Sequence, residues 1–129
     1  MKLKIAIQKS GRLSDDSLKL LKDCGIKVNN GISKLKTEAD NFPIEIYFLR
    51  DDDIPQYVED GVVDIAIVGE NLLIEEESTL EVIQRLGFSK CRVSLAVPKG
   101  SKIESIKDFE GKNFTKPRVR YNYKVTAWA

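Results

Sequence analysis

Residues 50–71, RDDDIPQYVEDGVVDIAIVGEN, constrain the fold of this chain more than any other stretch. An acidic turn leads into a short helix signal, with Asp53 at the cap position, Pro55 in the first turn and Gly61 just past the end. Val63, Ile65, Ile67 and Val68 follow as a nearly unbroken apolar run that stops at Gly69-Glu70-Asn71. A strand apolar on both faces needs cover on both faces, which is the situation of a parallel strand inside an α/β sheet. This run is expected to be the most buried strand. Polar residues just after such a strand stand where open α/β sheets bind their ligands.

The amino terminus repeats the plan. Leu3, Ile5 and Ile7 alternate with polar or small residues, the period of a strand, and Gly11 breaks the pattern. Ser14 is a candidate cap for a helix carrying Asp15 and Asp16 in its first turn, an apolar stripe of Leu18, Leu20 and Leu21, and a stop at Gly25. Short strands are expected near residues 26–28 and 34–36, and a firm one through Ile44, Ile46 and Phe48. Residues 72–77 read as a short helix and 80–86 as an edge strand. Cys91, Val93, Leu95 and Val97 alternate as a further strand, and Ser101 caps a last helix over residues 103–109, closed by Gly111. The order is that of a doubly wound α/β sheet with some antiparallel additions.

The chain has 129 residues, enough for one domain with a real core, and a net charge of +1. The charge is uneven. Lys112, Lys116, Arg118, Arg120 and Lys124 stand in the last eighteen residues with no acid among them, so the first 111 residues are net negative. That tail is short and no nucleic-acid motif accompanies it, so a nucleic-acid partner is not expected. Histidine is absent, which excludes a histidine-containing zinc site and a histidine-based triad. Cys24 and Cys91 read as small core residues. The amino terminus turns polar too early for a signal peptide, and no apolar run approaches membrane-spanning length. The expected compartment is a reducing cytoplasm.

Three segments carry candidate chemistry. Lys9-Ser10-Gly11-Arg12 joins a strand to a helix start, where free N–H groups, a glycine and two cations suit a phosphate. Its glycine spacing is neither that of a P-loop nor that of a dinucleotide fingerprint, and a solvated charged turn is the plain alternative. Asp51-Asp52-Asp53 suit a ribose or Mg²⁺, although three consecutive side chains do not easily face one ion, and Asp53 has the helix cap to serve. Gly69 admits a ligand close to the backbone, with Glu70 as acceptor and Asn71 as donor and acceptor; helix capping alone is the alternative. The Glu75-Glu76-Glu77 run reads as solvated surface.

IAIQKSGRL, FLRDDDIPQYVEDGVVDIAIVGEN and RLGFSKCRVSLAVPKG, in this order and spacing, resemble the amino-terminal part of ATP phosphoribosyltransferase, the enzyme that opens histidine biosynthesis. The resemblance covers residues 1–111. The QKSGRL and RDDDIP forms look more like the long form, with its own histidine-binding regulatory domain, than the short form that borrows a partner subunit.

The resemblance implies an α/β lobe similar to the type II periplasmic-binding-protein fold, with a central, mostly parallel sheet, here incomplete. It implies a first catalytic lobe over 1–97, the start of a crossover into a second lobe over 98–111, and a divergent basic tail over 112–129 outside the family fold. It implies the condensation of ATP with phosphoribosyl pyrophosphate to N1-phosphoribosyl-ATP and pyrophosphate, assisted by Mg²⁺ and without a covalent enzyme intermediate. It also implies homo-oligomers and feedback inhibition by histidine in the full-length family. Lys9, Gly11 and Arg12 would face substrate phosphates; Gly69, Glu70 and Asn71 would line the cleft wall; Asp51 and Asp52 would stand near the nucleotide; no protein-held metal site is expected. The family's second-lobe loop for the 5′-phosphate has no counterpart in residues 112–129, so the chain is expected to be truncated and inactive alone. A small-molecule binding module of the periplasmic-binding type is the competing reading, which the lack of an export signal and the QKSGRL and RDDDIP motifs disfavour.

Overall fold

The structure is a computed structural model and describes residues 1–29, 35–90 and 97–111. The chain divides into two compact units, residues 1–90 and 91–129. In the first unit, strand β1 (Leu3–Gln8) leads to helix α1 (Arg12–Asp23), then to strands β2 (Lys36–Glu38) and β3 (Ile44–Leu49). A 3-10 turn (Asp51–Asp53) runs into helix α2 (Ile54–Glu59), followed by strand β4 (Ile65–Ile67) and helix α3 (Glu70–Glu75).

The four strands form one sheet in the order β2-β3-β1-β4. β1 is parallel to both β3 and β4, with Ile7 level with Phe48 on one side and Ile67 on the other. β2 is antiparallel to β3, the one antiparallel pairing among the described strands. A parallel partner cannot be reached by a tight turn, so α1 and α2 make the crossovers. They cover opposite faces. Leu13, Leu18, Leu20 and Leu21 of α1 pack with Ile5, Ile7, Ile44, Ile46 and Ile67. On the other face Ile54 and Val58 of α2 pack with Ala6, Val63, Tyr47 and Ala66. The period-2 alternation of β1 sends its isoleucines to one layer and Ala6 to the other, and Ala6 leaves room for a closely packed helix.

Several expectations are corrected. The most buried strand is β1, with Ala6 and Ile7 fully buried, because it has a partner on each side. Ile65 and Ala66 of β4, paired on one side only among the described residues, are only partly buried. α1 starts at Arg12 with Gly11 as N-cap, so Ser14 lies buried inside the helix instead of capping it. Cys24 falls on the turn that ends α1, off the apolar stripe, and is exposed. Near residues 26–28 there is a single bridge, Val28 to Ala39, and the next strand is β2.

Residues 80–86 take no regular form. A strand needs a ladder partner, and this segment has none among the described residues; Val82, Ile83 and Leu86 are exposed. The segment is tied at its ends. Ser78 Oγ donates to Glu59 Oε1 at 2.9 Å, Phe88 packs on the α1-side core, and Ser89 Oγ donates to Asp16 Oδ2.

In the second unit the described residues form a short 3-10 helix, Ile106–Phe109. Its cap is Ser105 rather than Ser101, since the Asp108 carboxylate accepts from the N–H groups of Glu104 and Ser105, each at 2.9 Å. These contacts hold the Asp108 carboxyl below its ordinary range. The expected strand over residues 91–97 and the divergent tail over 112–129 lie, save Val97, outside the described residues.

Candidate functional site

The sheet order decides the geometry. β3, β1 and β4 are adjacent and parallel, so their carboxyl ends, Leu49, Gln8 and Ile67, share one edge. Lys9-Ser10-Gly11 leaves β1, Asp51-Asp52-Asp53 leaves β3, and Gly69-Glu70-Asn71 leaves β4. All three candidate segments, distant in sequence, are thereby brought to the same edge. The connections from β1 lead to β3 on one side and, after α2, to β4 on the other, which makes this edge the switch point where open α/β sheets bind ligands.

Each loop has its own architecture. The Lys9 N–H donates to Leu49 O at 2.7 Å, extending the β1–β3 ladder past the strands and tying the cationic loop to the start of the acidic one. Gly11 follows at φ 96° and ψ −177°, a conformation that only glycine adopts cheaply. It turns the chain straight into α1, whose first turn has no side-chain cap. The N–H groups of that turn and the exposed Lys9 and Arg12 side chains make this the cationic loop of the edge.

Asp51, Asp52 and Asp53 occupy the 3-10 turn. With three residues per turn their side chains diverge, as the sequence suggested. Asp53 sits at the α2 N-cap position in helical conformation, and its side chain makes no capping bond. The turn stands beside the far end of α3. Burial first, then the charge of Asp52, pushes the Glu75 carboxyl up; Glu76 is pushed up by burial, then by Asp52, Glu59, Asp51 and Asp53. Glu75 Oε1 is buried without a hydrogen-bond partner. The Glu75-Glu76-Glu77 run is therefore not simply solvated surface: Glu75 is half-buried against an acidic turn.

α3 begins two residues earlier than expected, so Glu70 and Asn71 are its first helical residues and Gly69 its N-cap. A Cβ on Gly69 would stand 2.5 Å from Asn71 Oδ1, so the glycine makes room for the Asn71 side chain. Glu70 is not free. Arg85 grips it with Nε at 3.1 Å from Oε2 and a terminal guanidinium nitrogen at 2.7 Å from Oε1. That guanidinium holds the Glu70 carboxyl below the ordinary carboxylate range. Arg85 is the site residue that reading the sequence missed. It lies fifteen positions from Glu70 in the segment that reads as an edge strand, and its one signal as a site residue is its place in the RLGFSKC motif.

A shallow concavity lined in part by Lys2, Lys36, Glu38, Asn41 and Pro43 lies at the opposite end, by the amino ends of β1 and β3. Its two lysines are already paired, Lys2 with Glu38 at 2.7 Å and Lys36 with Glu45 at 3.2 Å. The converging loops, not this hollow, are the candidate site.

The family model described as HisG: ATP phosphoribosyltransferase matches residues 50–127, more than half of the chain. The chain belongs to the ATP phosphoribosyltransferase family. Among relatives named ATP phosphoribosyltransferase, that of Cytophaga hutchinsonii is 53% identical over 109 residues, covering 84% of this chain and 38% of the relative. That of Parabacteroides distasonis is 53% identical over 110 residues, covering 85% of this chain and 39% of the relative. Among solved structures, the ATP phosphoribosyl transferase (HisG:HisZ) complex from Thermotoga maritima matches with a TM-score of 0.52 at 34% identity, over 61% of this chain and 37% of that one. The chain thus spans well under half the length of the ATP phosphoribosyltransferases it matches. Among the described residues no helix is long and apolar enough to cross a membrane.

Proposed function

We propose that residues 1–90 form one wall of the active site of an ATP phosphoribosyltransferase, which condenses ATP with phosphoribosyl pyrophosphate in histidine biosynthesis. The observation that carries this reading is the shared edge: a loop with two cations, a turn of three aspartates and a Gly-Glu-Asn turn leave three adjacent parallel strands at their carboxyl ends. Family membership supplies the reaction.

In that reaction the adenine N1 lone pair forms a bond to C1 of the phosphoribosyl group. The C1–oxygen bond breaks and its electron pair leaves with pyrophosphate. No enzyme nucleophile is needed, so the residues act by positioning and charge stabilisation. Lys9, Arg12 and the uncapped first turn of α1 meet phosphate oxygens, and Gly11 sets the turn that aims them. Glu70 and Asn71 offer an acceptor and a mixed donor and acceptor to the nucleotide, with Asp51 and Asp52 at its margin.

No group of three or more His, Cys, Asp or Glu side chains among the described residues is placed to hold a metal ion. Magnesium enters this reading as the counter-ion of the substrates' phosphates, an ion that takes at most one or two carboxylates from the protein.

The opposite wall, in this reading, belongs to the part of the family that the matched relatives carry beyond the shared residues, completing a two-lobed fold of the type II periplasmic-binding kind. Cytoplasmic location, homo-oligomers and feedback by histidine belong to the same proposal.

The test is a titration of the chain with ATP and magnesium followed by backbone NMR. Shifts are expected at residues 9–12 and 69–71, and not at 36–38. Binding should weaken in Lys9→Ala and in Arg12→Ala. Shifts confined to the Lys2–Pro43 concavity, or no binding, would overturn the reading. Formation of phosphoribosyl-ATP by the full enzyme, lost in the same variants, is the companion measurement.

A further inference from the structure

We propose that Arg85 is a positioning residue for the nucleotide wall: its guanidinium fork fixes the Glu70 carboxylate in one orientation and balances its charge at the edge where polyphosphates arrive. The inference rests on the nucleotide reading of that edge.

The geometry is a two-pronged grip. Nε lies 3.1 Å from Oε2 and 3.3 Å from Oε1, and a terminal nitrogen lies 2.7 Å from Oε1, so both carboxylate oxygens are engaged. Such a fork orients a carboxylate, whereas the point charge of a lysine only attracts it.

Stability alone does not account for this arrangement. The Arg85 side chain is 74% exposed and that of Glu70 50% exposed, and an exposed pair contributes between zero and about 1 kcal/mol. Location gives the pair its meaning. Glu70 is the first residue of α3, beyond the carboxyl end of β4 after Val68 and Gly69, and a bare carboxylate there would repel the phosphates drawn in by Lys9 and Arg12. Arg85 reaches it from a segment that has no ladder partner among the described residues, fixed before by Ser78 on Glu59 and after by Phe88 and Ser89 on the α1 side. An irregular segment anchored at both ends can present one side chain at a set place without being a strand.

Two measurements on the same variants test this: a carbon-13 titration of the Glu70 side chain and an ATP titration. Wild type should show Glu70 titrating below the ordinary glutamate range. Arg85→Ala should return it to that range and weaken ATP binding about fivefold, the equivalent of ~1 kcal/mol. Arg85→Lys should recover part of both, since it restores the charge without the fork. In a Glu70→Gln background, Arg85→Ala should change ATP affinity little further. Equal losses in both backgrounds mean that Arg85 touches the nucleotide itself, which overturns a positioning role. A Glu70 titration indifferent to Arg85→Ala overturns it as well. If wild type fails to bind ATP while Glu70 still responds to Arg85, the nucleotide reading has failed and the ion pair has not. Both side chains are exposed, so an unchanged melting temperature serves as the folding control.

Discussion

Asn71 folds its side chain back over Gly69, with Oδ1 2.5 Å from the point where any larger residue would place its Cβ. The backbone of Gly69, at φ −69° and ψ 132°, is open to every amino acid. The glycine is needed there for space beside Asn71 and not for conformational freedom. Gly69→Ala should accordingly separate stability from binding. Alanine suits this backbone and restricts the unfolded chain, which favours folding by about 0.4–1 kcal/mol, while Asn71 has to swing aside. The expected result is an unchanged or slightly higher melting temperature with weaker ATP binding. A large drop in melting temperature, or undiminished binding, would refute the relationship.

Gly11 presents the opposite case. At φ 96° and ψ −177° nothing crowds its Cα, but an L side chain is strained there whatever the space. Gly11→Ala should cost about 1–3 kcal/mol, read as a fall in the urea midpoint at unchanged slope. A neutral result would mean that the chain enters α1 by another route.

Glu75 makes stability depend on pH. Its carboxyl ordinarily titrates at 4.5 and is raised in the folded chain by burial and by Asp52. Between those two values the folded chain holds more protons than the unfolded one. Stability therefore falls as pH rises through that window and stays lower above it. Glu75→Gln should raise the melting temperature at neutral pH by a few degrees and leave it nearly unchanged below the ordinary glutamate value. Glu70 and Glu45, lowered by Arg85 and Lys36, act in the opposite sense, so the difference between wild type and variant isolates Glu75. A difference that does not vary with pH would remove Glu75 as the cause.

Ile7 marks the centre of the sheet, fully buried and level with Phe48 and Ile67. Ile7→Ala should cost about 2–5 kcal/mol, against the ~5–15 kcal/mol that holds a typical domain together. Chemical denaturation reads this directly, and a loss below 1 kcal/mol would show that β1 is not the central strand.

Reading the chain residue by residue located most elements and misjudged their ends. The strand at 44–49 and the helices after Gly11 and Asp53 announce themselves by local period and punctuation, which near neighbours enforce. Ser14 misled because Gly11 starts the helix earlier, leaving the serine to be buried. Residues 80–86 misled because alternation is necessary for a strand but a partner decides it, and no partner follows from the residues themselves.

The amino-acid sequence by itself determined the α/β class, the identity of the loops that carry charge and glycine, and through whole motifs the family. These rest on local preference and on motif identity, both of which are present before the chain folds. Only the tertiary structure decided that β1 lies between β3 and β4, that three loops therefore share one edge, and that Arg85 grips Glu70. Strand order and cross-segment pairing are choices among long-range contacts. They are settled by which apolar faces can be covered together, a property of the assembled sheet and not of any segment within it.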